Sequence, residues 1–250
     1  MRHDHDAGGD EALLAAKATV REEVWAALAE PGVARFPGPD GRIPNFVGAE
    51  KAADRLRTLD PWRAAATVKA NPDSPQLPVR QRALEDGMTV FMAVPRLAEE
   101  APFFRLDAAA LPVPPRKAAS IKGASRHGRR VALADLEPVD VAVVGCVAVA
   151  PDGARLGKGG GFSDLEYALA WEAGLIDEHT VVVTTVHERQ VVAAGRIPET
   201  DHDFRLDLIV TPDRVIECPR RPSAARPGVR WDELTDDKVA AIPVLARLRR

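Results

Sequence analysis

The chain is 250 residues long and 46% apolar, enough to bury the core of one large or two small domains, and its 34 basic against 37 acidic residues leave a net charge of −3. So small a charge creates no global field to recruit nucleic acid or an anionic membrane, and the expected partner is a small molecule. Two cysteines rule out a disulfide framework, and neither a signal-like start nor an apolar run of about 18 residues is present, so a cytoplasmic location is expected.

In chain order, residues 1–10 are rich in His, Asp and Gly and are expected to be disordered, with His3 and His5 the only loosely metal-like pair; residues 11–250 are expected to form a single domain. Helical spacing runs from Asp10 to Leu28, where Lys17 and Arg21 lie one turn apart on one face. By spacing alone that pair suits a solvated surface. Further helical runs cover Gly48–Leu56 and Val79–Leu84, the second carrying Arg80 and Arg82 at its start. Between them, Asn71-Pro72-Asp73-Ser74-Pro75-Gln76 reads as a turn, because a residue before proline is pushed out of the helical region; Asp73 suits an Asx turn or a ligand contact. Short valine-rich runs at Ala65–Val68, Val90–Val94, Val139–Val149, Val181–Val186 and Leu208–Val210 read as buried strands. Strands alternating with helices indicate a three-layer α/β fold, a mostly parallel sheet with helices on both faces. Residues 112–130 and the tail Pro219–Gly228, dense in Pro and basic residues, are expected to be loops, the first placed to reshape a substrate pocket.

The most informative stretch is Gly153 to Glu166, where glycines follow an apolar run and precede a helical pattern. Bare amides, a helix start and two cations, Arg155 and Lys158, make an anion site for which phosphate is the natural guest. Ser163 and Glu166 have capping-box spacing, which predicts a helix from about Asp164 to a stop at Gly174. A Walker A loop needs Ser or Thr after its lysine, but Lys158 is followed by Gly159; a Rossmann turn needs G-x-G-x-x-G, but the glycines stand at 157, 159 and 161. His187, at a strand end, suits a structural role better than a ligand contact. No Ser-His or Cys-His nucleophile signature occurs.

Gly153, Arg155, Leu156, Gly157, Lys158, Gly159, Gly161 and Asp164 resemble, position by position, the G-x-R-L-G-[KR]-G-x-G-Y-Y-D signature of the 5-formyltetrahydrofolate cyclo-ligase (methenyltetrahydrofolate synthetase) family. Phe162 and Ser163 replace the paired tyrosines, and with Leu165-Glu166 they point to a divergent branch similar to the methenyltetrahydrofolate synthetase domain-containing proteins. The resemblance, from about Lys17 to Pro212, implies a fold shared with sugar-phosphate isomerases and CoA transferases. It also implies ATP-dependent ring closure of 5-formyltetrahydrofolate, with ATP and Mg2+ as cofactors, folate and ATP as partners, and room for a homodimer. The ATP-binding residues it implies are Lys17, Arg21, Arg155, Gly157, Lys158, Gly159, Gly160, Gly161, Phe162 and Asp164, with Arg155 and Lys158 catalytic. Asp73 would stand where the family keeps a pterin-contacting acid, and Asp164, Asp203 and Asp207 would hold the metal. The alternative is a nucleotide-binding or regulatory protein that keeps the cradle without the chemistry.

Overall fold

The computed structural model describes residues 7–94, 97, 99–200, 203–219 and 228–249. Its centre is a sheet of eight strands in the order β10-β9-β8-β5-β1-β2-β3-β4. The strands are β1 (Thr67–Ala70), β2 (Thr89–Ala93), β3 (Phe103–Asp107), β4 (Arg129–Val131), β5 (Val141–Val143), β8 (Val181–Thr185), β9 (Leu208–Val210) and β10 (Val215–Glu217). From β9 through β8, β5 and β1 to β2 every pairing is parallel, with Val68 against both Val90 and Val141 and Val141 against Val181. β10, β3 and β4 add antiparallel pairs at the two ends.

Alternation along the strands separates two apolar layers, because successive side chains point to opposite faces. Val68, Ala70, Val90, Met92, Val141 and Val143 pack with α2 (Ala49–Leu56), α3 (Asp60–Ala64), α4 (Leu77–Glu85), α5 (Pro115–Ala118) and α6 (Ile121–His127). Phe91, Ala93, Ala142, Val144 and Val182 pack with α7 (Phe162–Glu172), α8 (Asp236–Ala241) and α9 (Pro243–Leu248). Helices therefore cover both faces, the expected three layers. A third cluster joins Val20, Val24 and Leu28 of α1 (Ala7–Leu28) to a hairpin of β6 (Ala148–Val149) and β7 (Arg155–Leu156). These α1 side chains are at most 3% exposed, and each contributes about 1.5–3 kcal/mol by burial.

The structure corrects several expectations. The apolar run Val139–Val149 is two strands, because after Val144 bonds to Val183 the next amide, Gly145 N–H, turns to the Asn71 side chain, and Val147 already pairs with Leu156. The segment 112–130 is not a loop: Ser120 caps α6 by accepting from Gly123 N–H, and proline opens α5. The helix starts at Ala7, inside the stretch expected to be disordered, and residues 1–6, with His3 and His5, lie outside the described residues. So do residues 220–227 of the expected tail loop. β3, β4 and β10 were not foreseen, because antiparallel end strands such as Phe103-Phe104-Arg105-Leu106-Asp107 carry charges that mask them.

Candidate functional site

β1 is flanked by β2 on one side and by β5 on the other, so the chain leaves β1 in one direction and later returns on its opposite side. At such a reversal the loops beyond the strands' carboxyl ends splay apart, and α/β proteins bind ligands in the crevice. Here the crevice lies between the turn after β1, Asn71 to Gln76, and Gly145 after β5.

Arg80 fixes that turn from below. Only 1% exposed, its guanidinium donates to the carbonyls of Pro72 (3.3 Å), Asp73 (3.2 Å), Asn71 and, across to the end of α5, Ala119 (2.9 Å). Burial lowers the Arg80 pKa to about 10 against the opposing charge of Asp73, so it stays charged at neutral pH. The 112–130 segment thus does reach the pocket turn, through one backbone carbonyl rather than as a lining loop.

Lys69 sits on β1 with its side chain on the α7 face, opposite to Val68 and Ala70, and pairs there with Glu166. The two are 2% and 4% exposed, and burial pushes the Glu166 carboxyl up while Lys69 opposes the shift. Asn71 joins them: its Nδ2 donates to Glu166 Oε2 (3.3 Å) and Ser163 Oγ (3.4 Å), and its Oδ1 accepts from Gly145 N–H (3.3 Å). Ser163 and Glu166 therefore form no capping box. Gly161, in the left-handed region at φ 64°, stands at the helix N-cap without a side-chain cap, so α7 begins at Phe162 and Glu166 lies a full turn inside it, turned to the sheet.

Above this floor, Asp73 is half-buried with its carboxylate 3.8 Å from Lys158 Nζ; burial pushes its pKa up, opposed by Lys158 and Arg80. Gln76 beside it is fully buried, and among the described residues neither of its side-chain polar atoms has a hydrogen-bond partner. A Cβ on Gly145 would lie 3.1 Å from both Asp73 Oδ2 and Gln76 Oε1, so the absent side chain is what lets those groups converge.

The glycine loop joins this crevice. Lys158 to Gly161 are exposed, Gly159 has φ 101°, and Arg21 Nε donates to Gly157 O at 2.8 Å, bracing the loop from α1. Lys17, on the buried stripe with Val20, is 2.6 Å from Asp203 Oδ2, so it is not a solvated surface lysine. Arg155 is 2% exposed, pairs with Asp164 and lies over Phe204 at 3.4 Å from the ring centroid, with Tyr167 stacked beyond. Lys17, Arg21, Lys158, Arg155, Asp164, Asp203 and Asp73 are thus linked around one loop.

The three carboxylates named as metal ligands do not form a cage. Asp164 serves Arg155, Asp203 serves Lys17, and Asp207 Oδ2 accepts from Val182 N–H near the start of β8, away from the crevice. Among the described residues no group of three His, Cys, Asp or Glu is placed to hold a metal ion. His187 has the structural role expected: its Nδ1 accepts from Arg189 N–H, its ring meets Phe46 edge-on, and burial lowers its pKa.

The Lys17 contact has a measurable signature. Burial pushes the Asp203 carboxyl up, but the bonds from Lys17 and from the Thr200 N–H (2.8 Å) and hydroxyl (2.9 Å) outweigh it, and the net pKa is lowered. A lowered native pKa gives stability that is complete above the unfolded value, about 3.9, and is lost as pH falls through the native value. Asp203→Asn is expected to flatten stability against pH below about 4, read by urea titration; an unchanged acid limb would show that the pair is not formed.

The 5-formyltetrahydrofolate cyclo-ligase family profile matches residues 11–212. Methenyltetrahydrofolate synthase domain-containing proteins are similar over most of this chain: that of Mus musculus is 38% identical over 244 residues, 93% of this chain and 63% of the relative. That of Bos taurus is 37% identical over 242 residues, covering 93% and 62%. The chain therefore spans somewhat over three fifths of the length of these curated relatives. The fold is that of Aquifex aeolicus 5,10-methenyltetrahydrofolate synthetase, with a TM-score of 0.52 at 19% identity over 87% of this chain and 99% of the other. No described helix is long and apolar enough to cross a membrane. With the signature glycine loop seated beside the crevice of that fold, and the profile matched from α1 to the end of β9, the chain belongs to the 5-formyltetrahydrofolate cyclo-ligase family.

Proposed function

We propose that the chain is an ATP-dependent ligase that converts 5-formyltetrahydrofolate into 5,10-methenyltetrahydrofolate, releasing ADP and phosphate. The observation that carries this reading is the meeting of an exposed glycine loop, braced by Arg21, with the acid Asp73 in one crevice. In the reaction the formyl oxygen attacks the γ-phosphorus of ATP and ADP leaves; the second folate nitrogen then attacks the activated carbon and gives up its proton to solvent, and phosphate departs with the former formyl oxygen. Such chemistry needs positioning and charge neutralisation rather than a protein nucleophile.

Lys158 and Arg21 would receive the phosphates with the loop amides, and Asp73 would orient the pterin, with the Gln76 amide beside it able both to donate and to accept. Arg155 would hold the loop in shape through Asp164. With no cage of carboxylates among the described residues, magnesium would arrive as the Mg-ATP substrate, held mainly by the phosphates.

The test follows the appearance of the methenyl chromophore from 5-formyltetrahydrofolate with and without Mg-ATP. Turnover that requires both substrates is expected; none at any ATP concentration would leave the reading of a nucleotide-binding protein without cyclo-ligase activity. The cradle is tested separately by Gly157→Ala. Its Cβ would meet nothing within 4 Å and its φ lies outside the left-handed region, so folding should be unaffected while a phosphate's approach is blocked. Valine at Gly159, by contrast, would strain a φ of 101° whatever it did to binding. Mg-ATP should raise the wild-type Tm and leave that of Gly157→Ala unmoved; equal shifts would remove the loop from the nucleotide site.

A further inference from the structure

Of the four cations that the sequence places at the phosphate loop, two are already neutralised. Lys17 is paired with Asp203 and Arg155 with Asp164, both pairs largely buried. Arg21 and Lys158 remain, and Lys158 is 3.8 Å from the Asp73 carboxylate. That is little positive charge for a triphosphate.

Another cation comes from the end of the chain, past residue 212 where the family profile stops. Thr235 caps α8 by accepting from Lys238 N–H, Val239 is buried in the layer that holds α7, and the turn so fixed brings Lys238 over the glycine loop. Lys238 Nζ stands 5.8 Å from the centroid of the Phe162 ring, and a Cβ built on Gly161 would lie 2.9 Å from it. Lys238 is half-buried, and among the described residues it pairs with no carboxylate. A cavity of about 200 Å³ opens beside it, lined by Gly161, Asp164, Leu165, Gly228, Arg230 and Lys238 among others.

The geometry points to Lys238 as a phosphate-binding residue of the nucleotide site, delivered by the C-terminal segment. The inference rests on the ATP-binding reading above and extends that site to α8. The packing explains the placement: the ammonium is held by a ring face on one side and by bare glycine backbone on the other, so its three donors stay available to an anion on the loop. Phe162 serves this arrangement as an apolar platform.

The test is calorimetric titration of the full chain with Mg-ATP, Mg-ADP and inorganic phosphate, for the wild type, Lys238→Met and Lys238→Arg. Methionine keeps the stem's packing on Phe162 and removes the charge. A charge-assisted contact is worth about 1.5–3 kcal/mol, so Mg-ATP should bind Lys238→Met at least about tenfold more weakly. Lys238→Arg should retain most of the affinity, and unfolding midpoints should be unchanged. If Lys238→Met alters the unfolding midpoint, Lys238→Gln takes its place under the same expectation. Mg-ATP affinity equal to wild type in the charge-removing variant would overturn the inference while leaving the nucleotide site standing. A wild type that binds no nucleotide would overturn both.

Discussion

Lys69→Met is expected to destabilise the fold by about 3–5 kcal/mol, because it strands the Glu166 carboxylate in a dry layer with only Asn71 to bond it. The double variant Lys69→Met/Glu166→Leu should recover most of that loss. Two ions that each forfeit hydration gain little net stability from their attraction, whereas an unmatched one carries its full desolvation cost. A residual deficit of about 1 kcal/mol should remain, since Asn71 Nδ2 would keep Ser163 Oγ but lose its carboxylate acceptor. Equilibrium urea unfolding of the wild type and the two variants gives the numbers, and a double variant no more stable than the single one would show that the pair is not closed in the native state.

The second large effect separates two cations that the family signature treats alike. Arg155→Ala should cost about 2–4 kcal/mol of stability, because it removes the guanidinium that covers Phe204 and leaves Asp164 without its partner. Lys158, nearly half exposed at 48%, has no such structural duty. Lys158→Ala should shift stability by less than about 0.5 kcal/mol yet reduce kcat/KM in the methenyl assay by a factor equivalent to about 2–4 kcal/mol. Thermal melts and steady-state rates on the same preparations decide it. A Lys158→Ala variant with wild-type kinetics would return that lysine to the solvated surface.

Much of the frame was legible because the parallel strands are short valine runs buried on both faces, which leave little ambiguity of period. Val181–Thr185 and Leu208–Val210 fall almost where periodicity puts them. The glycine loop was legible as well, since few residues other than glycine suit positions such as Gly159 and Gly161. What stayed hidden depends on partners distant in sequence. Glu166 reads locally as a capping residue, and only the arrival of Lys69, 97 positions earlier, makes it a core ion. Arg80 looks like an ordinary helix-surface arginine until the turn before it folds back over its guanidinium. Gln76 carried no signal at all, because nothing local distinguishes a buried amide from an exposed one. Lys238 lies in a short helix outside the recognised pattern, and only the packing of Val239 brings it to the loop.

The antiparallel ends of the main sheet bear on how copies of this chain behave in concentrated solution. At one end β4 is three residues long and begins Arg129-Arg130, both exposed. Head-to-tail pairing of two such edges would set guanidinium against guanidinium. At the other end β10 finishes at Glu217, and Pro219 soon follows, where the chain has no amide to offer a neighbour. Both borders are therefore unfavourable to ribbon growth. Self-association is expected to use helices and loops, with the valine-rich centre screened from edge pairing by the end strands.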